Sequence, residues 1–468
     1  MYGRRISATL AVTGILWAAG CSLWSPTGKP VWRNPEQEPP ALAGGRVEGS
    51  TLTQSSSEEA LMKRARDIHK RVLTIDTHVD FSPANFTAER NYAQRLDTQL
   101  NLPKMVEGGL DAVFFSVFVG QTREAQNPDA FKASGYERAY KAAIEKFDAI
   151  HRLTEQVAPD QIELALTTAE VRRIHAAGKK VALIGVENGY SIGEEIGRVK
   201  EFYDRGARYL SLTHNGHSQL ADSHTGERDG WKWSGLSPLG KNVIAEMNRL
   251  GLMIDVSHAS KATMMQSVEL SKAPVIASHS AARALCDVTR NMDDEQLLAL
   301  KKNGGIIQVF AYRSFIKIQK PDLPERAAVL AALRKEVGLL EPVAGQREPG
   351  RNALAKLSPA QRANYDEKLA EIDNRYPGDP YATVKDFIDH IDHAVKLIGI
   401  DHAGIASDFE GGGGVTGWDD AGETFNVTLE LARRGYSEEQ IVKLWGGNLL
   451  RVMDEVQRIA QELRKENR

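Results

Sequence analysis

Cysteine is almost absent from this chain. There are two, Cys21 and Cys286. If the first is consumed by processing, the second has no partner within the chain, so disulfides do not hold the fold together. A surplus of positive charge is missing too. Lys and Arg number 59 against 62 Asp and Glu, a formal net charge of −3. That leaves no polybasic surface for nucleic acid. Beyond Gly20 no apolar run is long enough to span a bilayer. No short-period repeat points to a solenoid or a propeller.

What is present begins with an export signal. Arg4 and Arg5 precede an apolar run over 6–20, and Cys21 follows Ala18-Ala19-Gly20. A basic start, a short apolar stretch and small residues before the cut describe a secretory signal peptide. A Cys directly after the small residues resembles a bacterial lipoprotein signal. Residues 1–21 are therefore expected to be that signal, with Cys21 the lipidation site. The mature protein would be exported and lipid-anchored at the cell envelope, in the bacterial periplasm or at the cell surface. An ordinary cut nearby, or an uncleaved anchor, is the plainer alternative. The Arg pair also fits twin-arginine export. Residues 22–57 are rich in Pro, Gly, Ser and Glu and read as a flexible tether.

From 58 to 468 apolar runs alternate with amphipathic segments, as in α/β folds. Eight runs read as buried strands: 72–80, 112–120, 181–189, 209–215, 253–258, 274–280, 305–311 and 402–410. Helical patterns over 57–71, 102–108, 134–157, 196–205, 241–250 and 261–271 intervene. The expected fold is an α/β (β/α)8 TIM-type barrel, with a long insertion (313–381) before the last strand and C-terminal helices. Its active site would lie at the carboxyl ends of the strands.

Six of the eight runs end on a residue able to bind metal or move a proton: His78 and Asp80, Glu187, His214, His258, His279 and Asp408. Each alone has a structural reading, as a cap, a partner for lysine or the start of a loop. Their shared position carries the argument. It is clearest in Met253-Ile254-Asp255-Val256-Ser257-His258 and Pro274-Val275-Ile276-Ala277-Ser278-His279, neighbouring runs that both end Ser-His. Imidazole and carboxylate without thiolate suit zinc in an open catalytic site, and manganese or cobalt less often. Three histidines and two carboxylates suffice for two ions if one carboxylate bridges. Glu187, between the two ligand groups in chain order, is the natural bridge. Asp408 is then free to handle protons. His390 and His393, at i and i+3 on a helix, precede the last strand on its amino-terminal side and read as structural.

These residues closely resemble the membrane (renal) dipeptidases, zinc metallopeptidases of the amidohydrolase-like barrel superfamily. The resemblance runs from Ile75 to Val452. It rests on Asp76-Thr77-His78-Val79-Asp80, Gly185-Val186-Glu187, Leu212-Thr213-His214-Asn215, Asp255-Val256-Ser257-His258, Ser278-His279-Ser280, Arg290-Asn291, Ser407-Asp408-Phe409 and Gly446-Gly447-Asn448. It implies two Zn2+ per chain, one on His78 and Asp80, the other on His258 and His279, with Glu187 bridging. It implies His214 as the histidine at the substrate carbonyl, Arg290 as the residue at the substrate carboxylate, and Asp408 as catalytic acid/base. The implied reaction is hydrolysis of a dipeptide by a metal-bridging hydroxide.

Two other readings compete. A different binuclear-metal amidohydrolase, acting on N-acyl amino acids or lactams, would use the same ligands. A catalytically dead, lipid-anchored binding protein would be expected to have lost ligands, and none is missing. The expected partners are a dipeptide and, through the lipid anchor, a membrane; a homodimer is left open. The chain departs from the family at Glu410, where a second Asp is common, beside Gly411-Gly412-Gly413-Gly414. The segment 313–381 is long, charged and weakly matched. It reads as a lid, a partner surface or an idle surface insertion, loop-like over 342–351 and helical and solvated over 359–375.

Overall fold

The computed structural model describes residues 49–121, 127–339, 354 and 357–466. The expected signal peptide with Cys21, most of the tether and the loop-like part of the insertion lie outside the described residues.

Nine strands form one parallel sheet: β1 (Ile75–Val79), β2 (Ala112–Phe118), β3 (Ile162–Leu164), β4 (Lys180–Glu187), β5 (Ala207–Ser211), β6 (Met253–Asp255), β7 (Ile276–Ser280), β8 (Ile306–Phe310) and β9 (Ala403–Ala406). Eight follow one another in the order β1-β2-β4-β5-β6-β7-β8-β9. The ends of that path meet. Val79 bridges Phe409, the Asp80 amide donates to the Phe409 carbonyl at 2.9 Å, and the Asp408 amide donates to the His78 carbonyl at 3.1 Å. This is a nearly closed (β/α)8 barrel of the TIM type.

The strands are buried along nearly their whole length. Parallel strands are covered on both faces, so they appear as continuous apolar runs rather than alternating ones. The first residues of the strands, among them Ile75, Ala112, Met253, Ile276 and Ile306, pack with Leu449, Leu450, Val452, Met453 and Val456 of the C-terminal helix Asn448–Glu466. That helix plugs the amino-terminal end of the barrel. The carboxyl ends remain for the site.

Differences from expectation have local causes. β3 was not anticipated. It is three residues long and pairs with β4 at Lys180–Ala182, before β5 joins β4 from Ile184 onward. Helix Gly49–His69 begins inside the stretch expected to be tether, because 51–57 contain no proline or glycine to stop it. The insertion has a core of its own. Helices Pro324–Glu336 and Pro359–Arg375 meet through Leu330, Leu333, Val337, Tyr365 and Ile372. Arg326 donates to Asp373 and to the Tyr376 carbonyl, both at 2.6 Å. The second helix is largely exposed, as expected, and buries only the stripe carrying Tyr365 and Ile372.

Candidate active site

The three expected metal-binding histidines converge, and each is held from behind. His78, on β1, has its Nδ1 2.9 Å from the Tyr209 hydroxyl, which in turn donates to the Thr77 carbonyl at 3.2 Å. His258 has its Nδ1 3.0 Å from Asn215 Oδ1. His279 has its Nδ1 2.7 Å from the Ser278 hydroxyl, which donates to Asp255 Oδ2 at 2.7 Å. With Nδ1–H engaged in each case, the Nε2 lone pairs are left to face inward. His258 Nε2 and His279 Nε2 are 2.9 Å apart. The His78 and His279 rings stack at 3.8 Å.

Glu187, the last residue of β4, lies among them. Its Oε2 is 3.3 Å from His78 Nε2. Its Oε1 is 3.0 Å from His258 Nε2, 3.3 Å from His279 Nε2 and 3.8 Å from His214 Nε2. One carboxylate oxygen thus faces each histidine group. Asp80 Oδ2 and Asp408 Oδ1 complete the ring, 3.9 and 4.0 Å from His78 Nε2.

The electrostatics of this cluster call for a cation. Burial would raise Glu187, but His78 first, then His214, His258 and His279, hold it well below the usual carboxylate range. Burial pushes Asp80 up to about 6, with Glu187 adding to the rise and His78 opposing it. Burial also holds Asp408 well above the carboxylate range; His78 and Arg290 pull it down, Asp80 and Glu187 up. His78 would be lowered by burial, yet Glu187, Asp80 and Asp408 raise it to about 10. Burial, Arg290 and the neighbouring imidazoles hold His258 and His279 neutral. Among the described residues, His78 Nε2 and Asp80 Oδ1 are buried without a hydrogen-bond partner. Unpaired buried donor atoms, neutral imidazoles and clustered carboxylates are what a zinc-type site requires. Three sets of ligand atoms lie close enough for an ion: His78, Asp80 and Glu187; Glu187, His258 and His279; and His78, His279 and Asp408.

The cluster forms the floor of a cavity of about 460 Å³, lined also by His214, Arg290 and Asp408. Arg290 is buried. It donates to the Ser280 hydroxyl at 2.9 Å and the His279 carbonyl at 2.6 Å, and its guanidinium lies 5.0 Å over the Phe310 ring. Its Nε has no partner among the described residues. Burial lowers the guanidinium to about 10, while Asp408 and Glu187 oppose the fall. His214 leans on Phe118 and His258, ring centres 4.5 and 4.3 Å apart, and burial keeps it neutral.

Residues 62–467 match the membrane dipeptidase family, peptidase family M19. The chain belongs to this family. Dipeptidase aclJ of Aspergillus oryzae is 30% identical over 404 residues, 84% of this chain and 80% of that protein. The probable dipeptidase PvdM of Pseudomonas aeruginosa, known from its crystal structure, is 32% identical with a TM-score of 0.68 and covers 86% of this chain and 99% of its own. A metallopeptidase of Rhodobacter sphaeroides, solved with a phosphinate mimic of L-Ala-D-Ala, shares the fold at 22% identity and a TM-score of 0.60, over 82% and 99% of the two chains. The M19 dipeptidases are metallopeptidases, so this chain is a metal-dependent hydrolase of that type.

Within this M19 barrel the barrel residues picked from sequence meet at one cavity. His390 and His393 do not join them. His390 accepts from the Ala282 amide at 3.1 Å and contacts the Ile316 carbonyl at 2.9 Å, and His393 pairs with Asp294 at 2.8 Å. Glu410 lines the cavity and is braced there: it accepts from the amides of Gln99 and Leu100, and its own amide donates to Gln99 Oε1 at 2.9 Å. The start of the insertion joins the site, since Phe315, with Tyr312 just before the insertion, lines the cavity. Two contributors escaped sequence reasoning. Tyr209 reaches His78 only because Gly185 has no side chain; a Cβ there would lie 1.9 Å from the Tyr209 ring. Lys146 also lines the cavity. Its signal was a lysine placed among Ala139, Ala143, Phe147 and Ile150 on the buried stripe of helix Ala133–Arg152.

Proposed function

We propose that this M19 hydrolase cleaves the peptide bond of dipeptides, using two zinc ions per chain. His78 and Asp80 hold one, His258 and His279 the other, and Glu187 is shared. The observation that carries this reading is the pair of Glu187 oxygens, each facing a different histidine group, on the floor of a cavity walled by Arg290. When bound, such a metal pair polarises the scissile carbonyl and lowers the pKa of the attacking water. The chain's own residues do the rest. His214, neutral and facing the cavity, donates a hydrogen bond to the oxyanion. Asp408 accepts the proton of the attacking water and returns it to the leaving amine. Arg290 pairs with the substrate's terminal carboxylate through its spare donors, which limits the length of peptide accepted. Elemental analysis of the purified protein, alongside dipeptide, N-acyl amino acid and lactam assays, tests the whole reading. Full activity without bound transition metal would overturn it.

Arg290 supplies a sharper check. Losing a charge-assisted pair in a desolvated site costs on the order of 2–4 kcal/mol. Arg290→Ala should raise KM far more than it lowers kcat, and should hurt a dipeptide more than its C-terminal amide. Equal effects on dipeptide and amide would remove Arg290 from the carboxylate.

The mature chain is held at a membrane through a lipid on Cys21, with the barrel on the extracytoplasmic side. Arg4, Arg5, the apolar run and Ala18-Ala19-Gly20-Cys21 support this. Among the described residues no helix is long and apolar enough to cross a membrane. Cys21→Ala should release the protein into the soluble fraction. A variant that stays with the membrane is anchored elsewhere.

A further inference from the structure

The cavity holds a second fixed cation, across the barrel mouth from Arg290. Lys146 projects from helix Ala133–Arg152 into the cavity wall. Its ammonium donates to the Phe81 carbonyl at 3.2 Å and lies 4.9 Å over the Phe81 ring and 5.8 Å over the Phe118 ring. Among the described residues it makes no ion pair, and this hydrogen bond uses one of its three donors. Burial lowers its pKa, with Asp80 and Glu187 opposing.

Its place in the barrel gives it meaning. Phe81 follows β1 and Phe118 ends β2, whereas Arg290 follows β7 and lies over Phe310 at the end of β8. In the strand order these two corners are separated by β4, β5 and β6 on one arc and by β9 on the other. The Glu187 cluster lies between them. A substrate with its terminal carboxylate on Arg290 and its scissile carbonyl at the cluster directs its amino-side residue towards Lys146. A pinned ammonium with spare donors, framed by phenyl faces in a desolvated wall, receives a carboxylate well and a second ammonium poorly. We propose that Lys146 selects dipeptides whose amino-side residue carries a side-chain carboxylate, that is, aspartyl and glutamyl dipeptides. This rests on the dipeptidase reading above and narrows it. A lysine present only to balance Asp80 and Glu187 would be indifferent to the substrate's side chain.

The test compares kcat/KM of the metal-loaded full chain on Glu-Ala, Gln-Ala, Ala-Ala and Lys-Ala. Glu-Ala should exceed its isostere Gln-Ala by about tenfold or more, with Lys-Ala the poorest. In Lys146→Met the ratio of Glu-Ala to Gln-Ala should fall to near one, and in Lys146→Glu the order of Glu-Ala and Lys-Ala should reverse. Wild-type protein that cleaves Gln-Ala as well as Glu-Ala overturns the inference and leaves the dipeptidase reading standing. So does an undiminished ratio in Lys146→Met. Failure to cleave any dipeptide overturns both. If neither variant folds, the wild-type ratio decides alone.

Discussion

Glu187→Ala is expected to strip the site of metal and to abolish dipeptide hydrolysis in the same step. Most ligand substitutions damage one coordination sphere. Glu187 differs because its two oxygens face two sets of histidines, Oε2 towards His78 and Oε1 towards His258 and His279. Removing the carboxylate takes one donor from each set. The loss in affinity should exceed the ~10–100-fold that removal of an outer partner of a ligand typically costs. The Ser116 hydroxyl, 3.3 Å from Oε2, is neutral and a poor replacement. The check is metal per chain after exhaustive buffer exchange, with kcat/KM on the same samples. A variant that keeps two ions would show that Glu187 is not shared. One that loses a single ion would assign Glu187 to one set only.

Most of the barrel was legible because parallel strands buried on both faces leave uninterrupted apolar runs. The ends of those runs were less so. The run over 253–258 yields only Met253–Asp255 as strand, and 402–410 only Ala403–Ala406. The residues past the last ladder bond are the functional ones. His258 and Asp408 both adopt positive φ, 63° and 60°, a conformation costly for a side chain other than glycine and typical of sites held in place by their surroundings. Hydropathy carries no trace of that turn. The candidate ligands themselves were legible because residue type and strand-end position coincide. Their supports were not, because the contacts span the sequence: Tyr209 meets His78 across 131 positions and Asn215 meets His258 across 43. β3 was hidden by its length, three residues on an edge that another strand takes over.

Asp408→Asn should lower kcat by about 10²–10⁴-fold while leaving most of the metal in place. The geometry puts this expectation under real strain. Asp408 Oδ1 is 4.0 Å from His78 Nε2, and with His78 and His279 it forms a third set of atoms within reach of an ion. If it served chiefly as a ligand, the variant would lose metal. Two observations favour the proton role. The other two sets suffice for the two proposed ions through Glu187. Asp408 is also a carboxyl that burial holds well above the usual range, against the pull of His78 and Arg290, the direction that suits a group able to carry a proton. The amide of Asn keeps the shape and cannot take the proton. Its backbone must still adopt the left-handed turn, which Asn tolerates better than most residues. Loss of fold should therefore not mask the result. Steady-state kinetics and metal content on one preparation separate the cases: kcat down with metal retained assigns the proton to Asp408, whereas metal and kcat lost together make it a ligand.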